Sequence, residues 1–170
     1  MKNSASIPNP KDITPAPLRH RLRLELKAAV PEIWALIGKH VRMPEYSAGI
    51  ASVEIEQAAD GSRSRVCQFR SPDGSGPGPR LRERIVWEAE NVGYATSADP
   101  ANDFGLENSV ELVTLAPAPT GTSLTWDEHY DSADLATARG SFNDGLADIG
   151  RRLVDRFGGR IIEQYTDAQT

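Results

Sequence analysis

The tract 121–130, Gly-Thr-Ser-Leu-Thr-Trp-Asp-Glu-His-Tyr, reads as one long strand, and the segment from about 133 to 157 reads as one long amphipathic helix. This succession constrains the fold more than any other feature. Leu135, Phe142, Leu146, Ile149, Leu153 and Phe157 recur in steps of three, four and seven, which sets them on one stripe of a helix. Asp131, Ser132 and Asp134 offer N-cap side chains. A late strand feeding a terminal helix, after a run of strands, predicts a sheet curled around that helix. Such an arrangement encloses a cavity, and a cavity predicts a small-molecule site. Gly140, Gly145 and Gly150 interrupt the helix, each at a cost of about 1 kcal/mol relative to alanine. They predict close approach to sheet or ligand, with tight packing the simpler reading.

Upstream, Leu22, Leu24 and Leu26 alternate with Arg21, Arg23, Glu25 and Lys27, the period of a half-buried strand over 18–27, with His20 on the apolar side. Pro31 suits the first turn of a short helix, where its missing N–H costs nothing. Ile33, Trp34 and Ile37 give that helix an inner face, and Gly38 ends it. Residues 43–49 suggest a second short helix or turn. Strands follow at 51–57 and 64–70 around the Asp60-Gly61 hairpin turn, then at 81–90, 93–98 and 109–115. Arg65, Cys67 and Phe69 share one face of the third strand.

Two segments carry little to bury. Residues 1–17 hold Pro8, Pro10, Pro15 and Pro17 and read as a flexible arm. Residues 71–79 combine three prolines with three glycines and read as a mobile loop, and whether it closes over the cavity entrance is left open. This loop lacks the Gly-Lys-Ser/Thr ending of a phosphate loop. The domain proper is expected over 18–165, with 166–170 as a tail.

At 170 residues, 39% apolar and 25% charged, the chain has the length of one domain and the composition of a soluble globular protein. Its net charge of −5 and lack of a basic block argue against nucleic acid as a partner. No apolar run approaches the roughly 20 residues that span a bilayer, and there is no signal-peptide pattern. Cytoplasmic is the default location. The single cysteine, Cys67, excludes an internal disulfide and a cysteine-based metal site. His20, His40 and His129 share no ligand spacing, no metal or other cofactor is expected, and no Gly-x-Ser-x-Gly elbow is present.

The order of elements (strand, two short helices, six strands, long helix) resembles the START/Bet v 1-like (SRPBCC) superfamily, in particular its polyketide cyclase/dehydrase-like branch. Three passages carry the resemblance. Residues 29–37, Ala-Val-Pro-Glu-Ile-Trp-Ala-Leu-Ile, look like that family's first helix. Residues 43–54 look like its passage into the second strand, with Tyr46 where a Trp is usual. Gly121-Thr122-x-Leu124-x-Trp126-x-x-x-Tyr130 looks like its seventh-strand signature. The resemblance spans about 18–157. It implies an α+β helix-grip fold: a curved seven-stranded antiparallel sheet wrapped around a long C-terminal helix, with two short helices between the first two strands. It also implies an apolar cavity for lipids, hormones or polyketide intermediates, and in some members cyclisation or dehydration chemistry. A fold does not fix chemistry.

Strand alternation selects the side chains that face such a cavity. In the seventh strand, Leu124, Trp126, Glu128 and Tyr130 share a face, and the first two make it the inner one. The resemblance implies an apolar residue where Glu128 stands. A buried carboxylate must be paired, protonated or wet. A raised pKa would suit a general acid or base, whereas a place at the cavity mouth or beside an arginine would be structural. In the fourth strand, Leu81, Glu83, Ile85 and Trp87 share the more apolar face, so Glu83 also points inward; the resemblance implies that a Glu is common there. Three strand spacings of about 4.8 Å separate Glu83 from Glu128, roughly 14 Å before curvature. They are expected at opposite ends of a ligand rather than as a tight pair. Tyr46, Tyr94 and Tyr130 could each offer a hydroxyl, or serve as core aromatics with wet tips. Trp87, Trp126, Phe142 and Leu146 complete the expected ligand-binding set, and His129 points outward.

Three functions follow in order: binding of a hydrophobic small molecule; a metal-free cyclase or dehydratase with Glu128 as acid/base; and a protein-interaction module. The oligomeric state, monomer or homodimer, is left open.

Overall fold

Alternating leucines open the fold at β1 (Leu18–Leu26). Helix α1 (Val30–Ile37) and a 3-10 helix (His40–Glu45) follow, then β2 (Ile50–Gln57), β3 (Arg63–Arg70), β4 (Pro77–Ala89), β5 (Gly93–Ala98), β6 (Leu106–Ala118) and β7 (Gly121–Ser132). The chain closes with α2 (Leu135–Phe157) and β8 (Gly159–Thr166). This computed structural model describes residues 6–167. All eight strands pair antiparallel in one sheet, in the order β2-β3-β4-β5-β6-β7-β1-β8. The architecture is α+β, with the long helix lying against β1, β8 and β7.

The core is where the hydrophobic periods predict it. Leu22, Leu24 and Leu26 of β1 are buried with Ile33, Leu36 and Ile37 of α1 and Leu146, Ile149 and Leu153 of α2. A fully buried leucine or isoleucine contributes about 1.5–3 kcal/mol, so this apolar end anchors the helix to the sheet. In α1 the Glu32 carboxylate accepts from the Ala29 N–H (3.2 Å) and Pro31 lies in the first turn. Asp134 caps α2, its side chain accepting from the Thr137 N–H (3.1 Å). Of the three glycines of α2, only Gly150 is there for close packing: a Cβ on it would stand 3.2 Å from the Leu22 Cδ1. A Cβ on Gly140 or Gly145 would meet nothing within 4 Å.

Three expectations are corrected. The sheet has eight strands rather than seven, because the chain after α2 returns along the free edge of β1. Its register slips between Arg23 and Leu24, so Ile161 and Ile162 stand side by side in sequence without alternating cleanly, which hides the strand. The arm expected over 1–17 packs from residue 6 onward. Pro10–Asp12 forms a 3-10 helix, Thr14 and Ala16 are buried, and the Thr14 hydroxyl donates to the Asn108 carbonyl (2.6 Å). Outward-facing His129 gains a partner there, its Nδ1 donating to the Ala16 carbonyl (3.3 Å). The expected tail contributes Thr166 to β8, and Asp167 accepts from Arg19 and Arg139. Residues 1–5 of the arm and 168–170 of the tail lie outside the described residues.

Candidate functional site

A row of polar side chains crosses the inner face of the sheet. Cross-strand register places Arg65 of β3 beside Glu83 of β4, Thr96 of β5 beside Glu111 of β6, Glu111 beside Glu128 of β7, and Glu128 beside His20 of β1. All six are buried. Arg65 is the hub. Its Nε donates to Glu83 (2.7 Å), Nη2 to Glu111 (2.8 Å) and Thr96 (3.3 Å), and Nη1 to the His40 Nδ1 (3.3 Å). A guanidinium only donates, so His40 accepts at Nδ1 and carries its proton on Nε2, 3.4 Å from Glu88. The Thr96 hydroxyl donates in turn to Glu83 (3.2 Å). Burial opposes the Arg65 charge, but Glu111 and Glu83 outweigh it and hold the guanidinium firmly protonated.

Glu128 is the odd member. Three carboxyls face one guanidinium, whose single charge cannot offset them all, so a neutral form is favoured for the one it does not touch. Burial pushes the Glu128 pKa well above the ordinary carboxylate value, and Glu111 and Glu83 push it further; the Trp126 indole N–H, donating to Oε1 at 2.9 Å, opposes this only in part. Both effects favour the neutral acid at Glu128, which shares a hydrogen bond with Glu111. Burial likewise pushes the Cys67 thiol up to about 12, so it stays protonated, with Sγ 3.8 Å from Glu83.

This row floors a cavity of about 330 Å³ between the sheet and the first half of α2. Its walls are Met43, Ile50, Phe69, Leu81, Phe104, Leu106, Trp126, Ala138, Phe142, Leu146 and Ile149 with Ser47 and Ser109 among them, and its floor carries Arg65, Cys67, Glu83, Glu111 and Glu128. Exposed Asp103, Asp134, Thr137, Ser141 and Gly145 form the mouth. The loop that reaches the cavity is therefore the one before β6, where Phe104 packs edge-on against Phe69 with ring centres 4.9 Å apart. No residue of 71–79 lines it, and from Pro77 that segment is already strand β4.

Of the expected site residues, Glu83, Glu128, Trp126, Phe142 and Leu146 line the cavity. Glu83 and Glu128 sit three strands apart, but Arg65 and Glu111 join them into one cluster rather than leaving two separate poles. The other four do not line it. Trp87 faces outward because the β4–β5 register slips at Val86, which moves Glu88 to the inner face opposite Tyr94. Tyr46 and Tyr94 are fully buried, each edge-on to Trp126 at 6.4 Å, with tips in neither water nor cavity. Tyr130 stands behind Phe142, stacked on it at 4.7 Å, and its hydroxyl meets the His20 Nε2 (2.9 Å). Burial holds His20 neutral, its pKa lowered to about 4. Arg65 and Glu111 are the members that sequence reasoning gave no role. Alternation already set Arg65 on a face with Cys67, but in β6 Val110, Glu111, Leu112 and Val113 are all buried, so no period marks Glu111.

Residues 20–162 match the family model described as polyketide cyclase / dehydrase and lipid transport. The chain belongs to this family. Among solved structures, a START superfamily protein from Mycobacterium smegmatis aligns with a TM-score of 0.65 at 16% identity, over 82% of this chain and 97% of that one. A protein from Rhodobacter sphaeroides gives 0.59 at 17% identity, over 84% and 93%. The di-domain aromatase/cyclase StfQ of the steffimycin biosynthetic pathway gives 0.57 at 15% identity, covering 82% of this chain and 45% of StfQ. At these identities the structures establish the helix-grip fold alone. No curated protein matches the sequence. Among the described residues no helix is long and apolar enough to cross a membrane, and no group of three or more His, Cys, Asp or Glu is arranged to hold a metal ion.

Proposed function

We propose that the protein binds a hydrophobic small molecule in the cavity beneath α2. The observation that carries this reading is the cavity itself: about 330 Å³, walled by carbon and floored by a few convergent polar groups. Small-molecule sites of about 300–1,000 Å³ have this composition. Family membership supports the same ligand class. Gly145 supplies the test, because it lines the mouth and a side chain there enters open space. Gly145→Trp fills the entrance while improving helix propensity. The wild type should bind the neutral apolar dye Nile red with a blue-shifted emission, and the variant should bind it at least about tenfold more weakly. Equal binding by both proteins would place the dye elsewhere and overturn the reading.

Glu128 favours a second reading, a metal-free cyclase or dehydratase. A neutral carboxylic acid on a cavity wall, hydrogen-bonded to a carboxylate, can give and retake a proton. On this reading Glu128→Gln loses turnover of a neutral substrate while keeping the fold.

A further inference from the structure

The cavity offers a ligand five carboxyl groups against one guanidinium, with the hydroxyls of Ser47, Ser109, Thr137 and Ser141 as its neutral donors. Four of the five N–H groups of Arg65 are already committed, to Glu83, Glu111, Thr96 and His40. The Thr96 hydroxyl is committed to Glu83, and the Trp126 indole N–H to Glu128. The Cys67 thiol, a weak donor, faces Glu83. Against these stand the oxygens of Glu83, Glu111 and Glu128, and at the mouth two further carboxylates, Asp103 and Asp134. Among the described residues Arg65 is the only cation in the cavity lining. A ligand carboxylate or enolate would enter a field of its own sign, and a ketone would find serine and threonine hydroxyls but no free cation. An ammonium would find two adjacent carboxyl groups, one of which holds a proton that it can give up.

We propose that the ligand is an amphiphilic amine, its apolar body between α2 and the sheet and its ammonium seated between Glu111 and Glu128. The proposal rests on the reading that the cavity binds a small molecule, and it names the polar end. On binding, the ammonium donates to both carboxyl groups and Glu128 releases its proton to solvent, so the cluster exchanges one positive charge for another. Charge-assisted hydrogen bonds of this kind are about twice as strong as neutral ones. The acidic mouth would also raise the local concentration of a cation. Glu83 and Arg65 keep their own pairing throughout, which leaves Glu111 and Glu128 as the groups that respond.

The experiment compares octylamine, octanol and octanoate as competitors for Nile red on the whole protein. It adds calorimetry of octylamine binding at pH 7 in two buffers of different ionisation enthalpy. Octylamine should displace the dye at least about tenfold more effectively than octanol, and octanoate should be the weakest. Calorimetry should find about one proton released per amine bound. Glu128→Gln should abolish that release and erase the preference over octanol, and Gly145→Trp should weaken all three competitors together. A floor that is merely structural would move none of these readouts. Dye bound by the wild type but displaced equally well by octanol or octanoate, or amine binding without proton release, would overturn the amine while leaving the cavity reading intact. No dye binding at all would remove the cavity reading itself.

Discussion

Arg65→Met should destabilise the protein by about 3–5 kcal/mol, the usual penalty for removing one partner of a buried ion pair. The side chain is 1% exposed and pairs with both Glu83 and Glu111, which are themselves 6% and 7% exposed. Methionine fills the volume but leaves two buried carboxyl groups without a counter-charge, along with the Thr96 and His40 contacts. Urea unfolding followed by Trp fluorescence reads the loss as a lower midpoint at unchanged slope. Arg65→Lys should rescue little, since a compact ammonium cannot reproduce the planar fork that reaches four partners. Should Arg65→Met be too unstable to purify, Arg65→Met with Glu83→Gln and Glu111→Gln should recover a folded protein. A loss below about 1 kcal/mol for the single variant would mean that the cluster is wet and loosely held.

Glu128→Gln should make the protein more stable at alkaline pH, an unusual sign for a buried-site substitution. The carboxyl has an ordinary value of 4.5 and is held well above it in the fold, by burial first and by Glu111 and Glu83 next. A raised folded pKa gives a contribution that is complete below pH 4.5 and is lost as pH rises toward and through the folded value. Over that window the wild type loses up to about 1.4 kcal/mol per pH unit relative to a group that does not titrate. Glutamine mimics the neutral acid: its amide oxygen can accept from Trp126 and its N–H can donate to Glu111. The two proteins should therefore differ little at pH 4.5 and diverge by pH 8, with the variant ahead. Parallel stability curves across that range would show that Glu128 is ionised in the fold.

Much of the fold was legible because its signals are local and periodic. The leucines of β1, the inner face of β7 and the stripe of α2 each follow from spacing alone. What escaped was set by irregularities that no period records. The slip at Val86 sits inside Ile85-Val86-Trp87, three apolar residues in a row, so nothing in the sequence marks where Trp87 leaves the inner face. The Ile161-Ile162 pair of β8 conceals a slip in the same way. Glu128 could be singled out as a carboxyl on an apolar face. Its neutral state could not, because that depends on Glu111 and Glu83, which only strand register brings near. The tyrosines misled for the opposite reason: they were expected to keep a polar tip within reach of water or ligand, and packing around Trp126 and His20 withholds it.

Native mass spectrometry of freshly purified protein reads whether the space beneath α2 is a small-molecule site. Any bound compound would then be extracted under denaturing conditions, with Gly145→Trp run in parallel. The wild type should carry an adduct of one small apolar molecule, displaced by added octylamine and absent from the variant. An adduct carried equally by both proteins, or a wild type that takes up neither its own ligand nor Nile red, would contradict it.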